Sequence, residues 1–169
     1  MESSIARILS VCILLSFTIV SVAESETSES VAPTDDDKLH EWLISGEYKI
    51  FTASESETHP SAGPHTKYGL PVRVFLNSML DESMSAEDSN HPVGATAVKE
   101  MYSTDNKLEG WAVMVKTQTE TDGGKGWYWY EATSIEPGTK AFASGNGVPL
   151  CVSCHGGGKD FVVTKYPLK

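Results

Sequence analysis

Four short stretches in the middle of the chain place apolar side chains with a period near two. They cover 72–76, 95–102, 111–117 and 127–131, and they are rich in valine, threonine and aromatic residues. Such side chains suit a pleated, half-buried surface, so each stretch predicts a strand. Turn formers separate them: Pro92-Val93-Gly94, Asp105-Asn106 and Asp122-Gly123-Gly124. The last two strands, joined across 118–126, predict a hairpin. Ahead of them, Leu39, Trp42 and Leu43 fall at helical spacing behind Asp35-Asp36-Asp37. Acids at a helix start complement the positive end of its dipole, so 35–45 predicts a short helix. A second helical stretch is expected near 78–88. Residues 54–69 carry two prolines and two glycines and predict a loop. No internal repeat is present. The fold class is α+β: an antiparallel sheet with a few short helices.

The start of the chain has a different pattern. Arg7 precedes an almost wholly apolar run over 8–22, and Ser21-Val22-Ala23 supplies small residues at a cleavage position. This predicts a signal peptide over 1–23, cut after Ala23, and therefore an exported protein, periplasmic or secreted. The apolar run is short for a membrane span. Cleavage also removes Cys12, leaving Cys151 and Cys154. Residues 24–37 are acidic, polar and free of aromatics, and are expected to form a flexible leader. The ordered domain is then 38–169. A length of 169 residues suits one domain. The net charge of −10 excludes a nucleic-acid partner and disfavours anionic membrane surfaces.

Candidate chemistry sits near the C-terminus, in Cys151-Val152-Ser153-Cys154-His155. In a C-x-x-C-H run, two thiols separated by two residues reach the two vinyl groups of one haem. The adjoining histidine then ligates the iron. The motif predicts one covalently bound haem c, with Cys151 and Cys154 as attachment points and His155 as axial ligand. A redox or structural disulfide and a zinc site are the competing readings of the two cysteines. A redox pair would open a helix early in a βαβ unit, whereas this motif follows a β-rich body and precedes Gly156-Gly157-Gly158. A zinc site needs donors from elsewhere.

A C-terminal haem motif behind a β-rich body resembles the cytochrome P-460 family. The similarity runs from about residue 41 to 166. It is carried by His91-Pro92-Val93-Gly94-Ala95-Thr96-Ala97-Val98-Lys99-Glu100, by Gly126-Trp127-Tyr128-Trp129-Tyr130, by the haem motif and by Asp160-Phe161-Val162. The resemblance implies a single haem, a homodimer and a five-coordinate iron. It also implies one of two activities. Cytochromes P-460 are oxidoreductases that oxidise hydroxylamine and pass electrons to an external acceptor. Cytochromes c′-beta bind nitric oxide or carbon monoxide without turnover. A simple electron carrier is a third reading, and it requires a filled sixth position.

In P-460 members a lysine is bonded to the haem edge, and Lys99 matches its position. Alternation along 95–101 places Ala95, Ala97, Lys99 and Met101 on one face. Glu131, on a strand face with Trp127 and Trp129, is the candidate distal acid. Sixth-ligand candidates by type are Met79, Met84, Met101, Met114, His40, His59, His65 and His91. Phe51, Phe75 and Phe142 are candidates for an apolar distal pocket.

Overall fold

The computed structural model describes residues 29–66 and 69–169. The stretch expected to be a signal peptide, with Arg7, Cys12 and Ala23, lies outside the described residues. No helix among the described residues is long and apolar enough to cross a membrane.

The architecture is α+β. In chain order the elements are α1 (Asp36–Ser45), β1 (Ala53–Ser54), β2 (His59–Pro60), β3 (Pro71–Leu76), α2 (Ser78–Ser85), β4 (Thr96–Tyr102), β5 (Leu108–Lys116), β6 (Trp127–Ala132), β7 (Ala143–Asn146) and α3 (Pro149–His155). The strands form one seven-stranded sheet in the order β1-β3-β4-β5-β6-β7, with β2 also paired to β3. Every pairing is antiparallel. The β5–β6 hairpin forms as the pattern predicts.

The helices follow their capping signals. Asp35 caps α1 by accepting the Lys38 N–H, and Gly46 ends it in the left-handed region at φ 75°. Asn77 caps α2 through the Leu80 N–H. That helix stops at Ser85, short of the expected 88, and Glu87 turns to φ 58° just beyond.

The sheet has two apolar faces. On one, α1 brings Leu39, Trp42 and Leu43 against Phe75, Val98, Trp111, Val113, Tyr128 and Tyr130. On the other, α2 and α3 bring Leu80 and Cys151 against Leu76, Ala97, Met114, Trp127 and Trp129. The 127–130 aromatics therefore alternate between the two cores, as period two requires.

Two local expectations change. Residues 29–37 do not form a free leader. The Glu29 carboxylate accepts from Thr52 Oγ1 at 2.7 Å and from the Ser78 N–H at 2.8 Å. Ser30 Oγ accepts from Trp42 Nε1 at 2.8 Å, and Ala32 is buried. These acids and hydroxyls satisfy donors at a helix start and a sheet corner, contacts that composition does not register. Within 54–69, residues 59 and 60 pair with β3, and Glu55 is buried with Oε2 accepting the Val74 N–H at 2.8 Å. Strand β7 carries no apolar signal in Ala-Ser-Gly-Asn; backbone pairing to β6 alone makes it a strand.

Candidate functional site

One row of paired residues crosses the sheet: Val74, Lys99, Ala112, Glu131 and Ala143. Residues directly opposite on neighbouring strands point to the same face. Lys99 and Glu131 therefore project together toward α3, with only the methyl of Ala112 between them. Two strand spacings of about 4.8 Å set their backbones roughly 10 Å apart. The next row on that face is Leu76, Ala97, Met114, Trp129 and Gly145.

Helix α3 covers this face. Proline at its first turn supplies a preset φ where no hydrogen bond is lost. Cys151 and His155, four residues apart, lie on the same side of the helix, while Cys154 is exposed. His155 is half-buried, with its ring edge-on to Trp129 at 4.8 Å between centres. His155 Nδ1 lies 2.9 Å from the Phe161 carbonyl. A carbonyl only accepts, so Nδ1 carries the proton and Nε2 keeps its lone pair. Burial holds this imidazole below its ordinary pKa, although the Phe161 carbonyl and Glu131 pull the other way.

Between helix and sheet is a cleft enclosing about 420 Å³, its mouth included. His65, Lys99, Trp129, Glu131, Cys151 and His155 all line it. Glu131 is buried, and its Oε2 is 2.9 Å from His65 Nδ1. The same two residues line a wider outer hollow together with Met101 and Phe142. Lys99 is half-buried, and burial lowers its pKa despite the opposing influence of Glu55 and Glu131. Burial, with Glu131 adding to it, pushes the Cys151 thiol up to about 11. Both cysteines are free thiols.

The loop after α3 is held from below. Asp160 accepts from Lys116 Nζ at 2.7 and 2.8 Å and from the His91 N–H at 2.8 Å. It also accepts from Thr121 Oγ1 and, at 3.3 Å, from Trp127 Nε1. Asp160 and Phe161 have φ of 44° and 67°, a turn that aims the Phe161 carbonyl back at His155. Gly124 passes under Val152 and Phe161 at φ 94°, where an added Cβ would lie 2.5 Å from Val152 Cγ2. Sequence patterning assigned no role to Lys116 and read Gly124 only as a turn former. The available signal for Lys116 is a cation ending a valine-rich strand, which needs a buried partner.

All five site residues expected from sequence border the cleft or its helix. The other candidates separate. Of the eight methionine and histidine candidates, His65 and Met114 line the cleft. His40 belongs to the opposite core, bonded to Tyr130 Oη and the Glu136 carbonyl. His91 bonds Ser83 Oγ, and His59 is exposed beside Glu55. Phe51 and Phe75 lie in the opposite core, and Phe142 is exposed at the outer hollow. Glu100 also faces away, accepting from the Tyr48 and Tyr102 hydroxyls.

No protein-family model and no curated protein sequence matches the chain.

The residues present fit a c-type haem. An imidazole with a tied Nδ1 and an open Nε2 is the form that ligates iron, and neutral imidazole predominates when burial lowers its pKa. Two free thiols precede it on the same short helix. Among the described residues, no group of three or more His, Cys, Asp or Glu is arranged to hold a metal ion.

Proposed function

We propose that the chain is an exported mono-haem c-type protein of the cytochrome P-460 type, in which the cleft binds and oxidises a small nitrogen compound such as hydroxylamine. The carrying observation is the row that sets Lys99 and Glu131 side by side across Ala112, facing Cys151 and His155 in one cleft. Bound haem would supply an iron that takes up the ligand and passes electrons to an external acceptor.

The chain's own residues have distinct roles in this reading. Cys151 Sγ and Cys154 Sγ would hold the haem covalently, and His155 would ligate its iron. The Phe161 carbonyl fixes the His155 ring and its tautomer. Lys99 shares the cleft with the attachment helix, as a lysine–haem cross-link requires, and burial raises the share of its nucleophilic neutral amine. Glu131 accepts a proton from the substrate. Its Oε1 makes no hydrogen bond among the described residues, which leaves that oxygen available. Capture of nitric oxide without turnover needs only an apolar pocket, and Val74, Ala97, Ala112, Met114 and Trp129 supply one; turnover needs in addition the proton acceptor that Glu131 provides.

The test is an absorption spectrum, ferric and ferrous, with a pyridine adduct, on protein made with a c-type maturation system. A ferrous Soret band shifted far to the red, and lost in Lys99→Ala, is the expected result. An ordinary c-type ferrous spectrum would keep the attachment, remove the cross-link and favour gas binding. Absence of covalent haem would overturn the reading.

A further inference from the structure

His91 is 3% exposed and packs against α2, β6 and the turn that follows α3. Its backbone N–H donates to Asp160 Oδ2 at 2.8 Å, so the residue helps to hold that turn. Its ring is engaged through one nitrogen. Ser83 Oγ lies 2.8 Å from His91 Nδ1 and 2.9 Å from Asp88 Oδ2. A serine hydroxyl has one hydrogen, and a carboxylate only accepts. The hydrogen therefore points to Asp88, and Nδ1 carries the ring proton and donates to Ser83. Nε2 is left with a buried lone pair that meets no hydrogen-bond partner among the described residues. A buried polar atom without a partner is costly, and the chemistry of the cleft does not use this one.

The surroundings decide what a proton on Nε2 would do. The charged groups facing the ring are Asp88 just beyond α2, Lys116 at the end of β5 and Asp160 in the turn. Burial keeps the imidazole below its ordinary pKa. Asp160 and Asp88 oppose that, and Lys116 adds to it. A second cation beside Lys116 would share Asp160, which already accepts from Lys116, Thr121, Trp127 and the His91 N–H. The Lys159 backbone also favours the charged ring, and a backbone group does so through its carbonyl. That carbonyl accepts the Val162 N–H at 2.9 Å and closes the turn. A proton on Nε2 thus adds a buried donor that draws on the atom holding the turn shut. The turn is ready to yield. Asp160 and Phe161 sit at φ 44° and 67°, which residues other than glycine keep only while their contacts enforce it.

We propose that His91 is a proton-operated latch on the turn behind α3: neutral, it keeps residues 159–162 closed, and protonated, it opens them. The latch is built from the chain's own groups and needs no haem, so it goes beyond the reading above. Its effect reaches the candidate site through one bond. The Phe161 carbonyl that holds His155 Nδ1 belongs to the same turn, so opening releases the His155 ring. The His91 imidazole is less basic in the closed form than in the open one, where water reaches it. The closed form is then fully favoured above the ordinary histidine value of about 6.5 and loses ground as pH falls from there toward the lowered value. Protonation of Asp160 acts in a separate window, below its ordinary value of about 3.9.

Hydrogen exchange on the full chain, made with a c-type maturation system and read by mass spectrometry, tests the latch. The opening constant of residues 157–162, corrected for the intrinsic exchange rate at each pH, should rise by roughly tenfold per pH unit below about 6.5, the slope of a single proton. In His91→Gln, which does not titrate, that slope should vanish. An opening constant that stays flat from about pH 7 to 5 in the parent would overturn the proposal. An equal slope in the variant would overturn it too, by assigning the proton to another group. Where His91→Gln fails to fold, exchange of the His91 ring C–H in the parent decides. Its titration should share its midpoint with the opening of the turn, and a ring still neutral where the turn has opened overturns the latch. None of these results bears on covalent haem, which the pyridine adduct reads by itself.

Discussion

Lys116 Nζ lies 2.7 Å from Asp160 Oδ2, and neither side chain meets solvent. The pair joins the end of β5 to the turn that aims the Phe161 carbonyl at His155. Asn90 Oδ1 and Thr121 Oγ1, each 3.0 Å from Nζ, complete the shell around the ammonium. Removing one partner leaves the other charge buried and uncompensated, at a cost of about 3–5 kcal/mol. Lys116→Met should lower stability by that amount in urea unfolding. The double change Lys116→Met with Asp160→Leu should recover much of it. A neutral single variant would show that water reaches the pair.

The same pair makes stability depend on acid. Burial pushes the Asp160 carboxyl up, but hydrogen bonds from Lys116, Thr121 and the His91 N–H outweigh it, and the folded-state pKa falls below the ordinary value. A group with a depressed folded pKa adds stability above its unfolded pKa of about 3.9, and that stability disappears as pH falls through the folded value. Urea midpoints measured from neutral pH downward should therefore drop below about pH 4. In Asp160→Asn the midpoint should begin lower and fall less steeply.

Glu131 should matter to chemistry more than to haem retention. Glu131→Gln keeps the shape and removes the base, so hydroxylamine oxidation should slow by about 10²–10⁴-fold. The haem-to-protein ratio should remain that of the parent. Equal loss of both would make Glu131 a structural residue of the cleft.

Gly124 seats α3. At φ 94°, with its Cβ direction 2.5 Å from Val152 Cγ2 and 3.2 Å from Phe161 Cε1, it has no room for a methyl group. Gly124→Ala should cost about 1–3 kcal/mol from overpacking, and more once backbone strain is included. Thermal unfolding reads the loss, and a lowered haem yield should accompany it as α3 shifts.

The opposite face provides a control. Tyr48 Oη donates to Glu100 and accepts from Trp111 Nε1 at 3.1 Å, deep in the core under α1. Tyr48→Phe removes a hydrogen bond to a charged acceptor and should cost about 1.5–3 kcal/mol. The haem absorption spectrum should stay unchanged, because the sheet separates this network from the cleft.

Four strands, two helices and the β5–β6 hairpin were legible in the chain because their signals are local. Period two, β-branched residues, the acids at the start of α1 and the turn formers all act within a few residues. The alternation also placed Lys99 with Ala97, and Glu131 with Trp129, on single faces before any pairing was known. The Cys151–His155 run stood out in the chain because its spacing is chemical. The strand β7, the ordered stretch from Glu29 and the Lys116–Asp160 pair were not, because each exists through partners distant in sequence. The register that sets Lys99, Ala112 and Glu131 in one row depends on three strands pairing together. Local patterning specifies which way a side chain points. It carries no information on which side chain arrives opposite, because that is set by long-range pairing and burial, and the cleft with its two histidines is made of such arrivals.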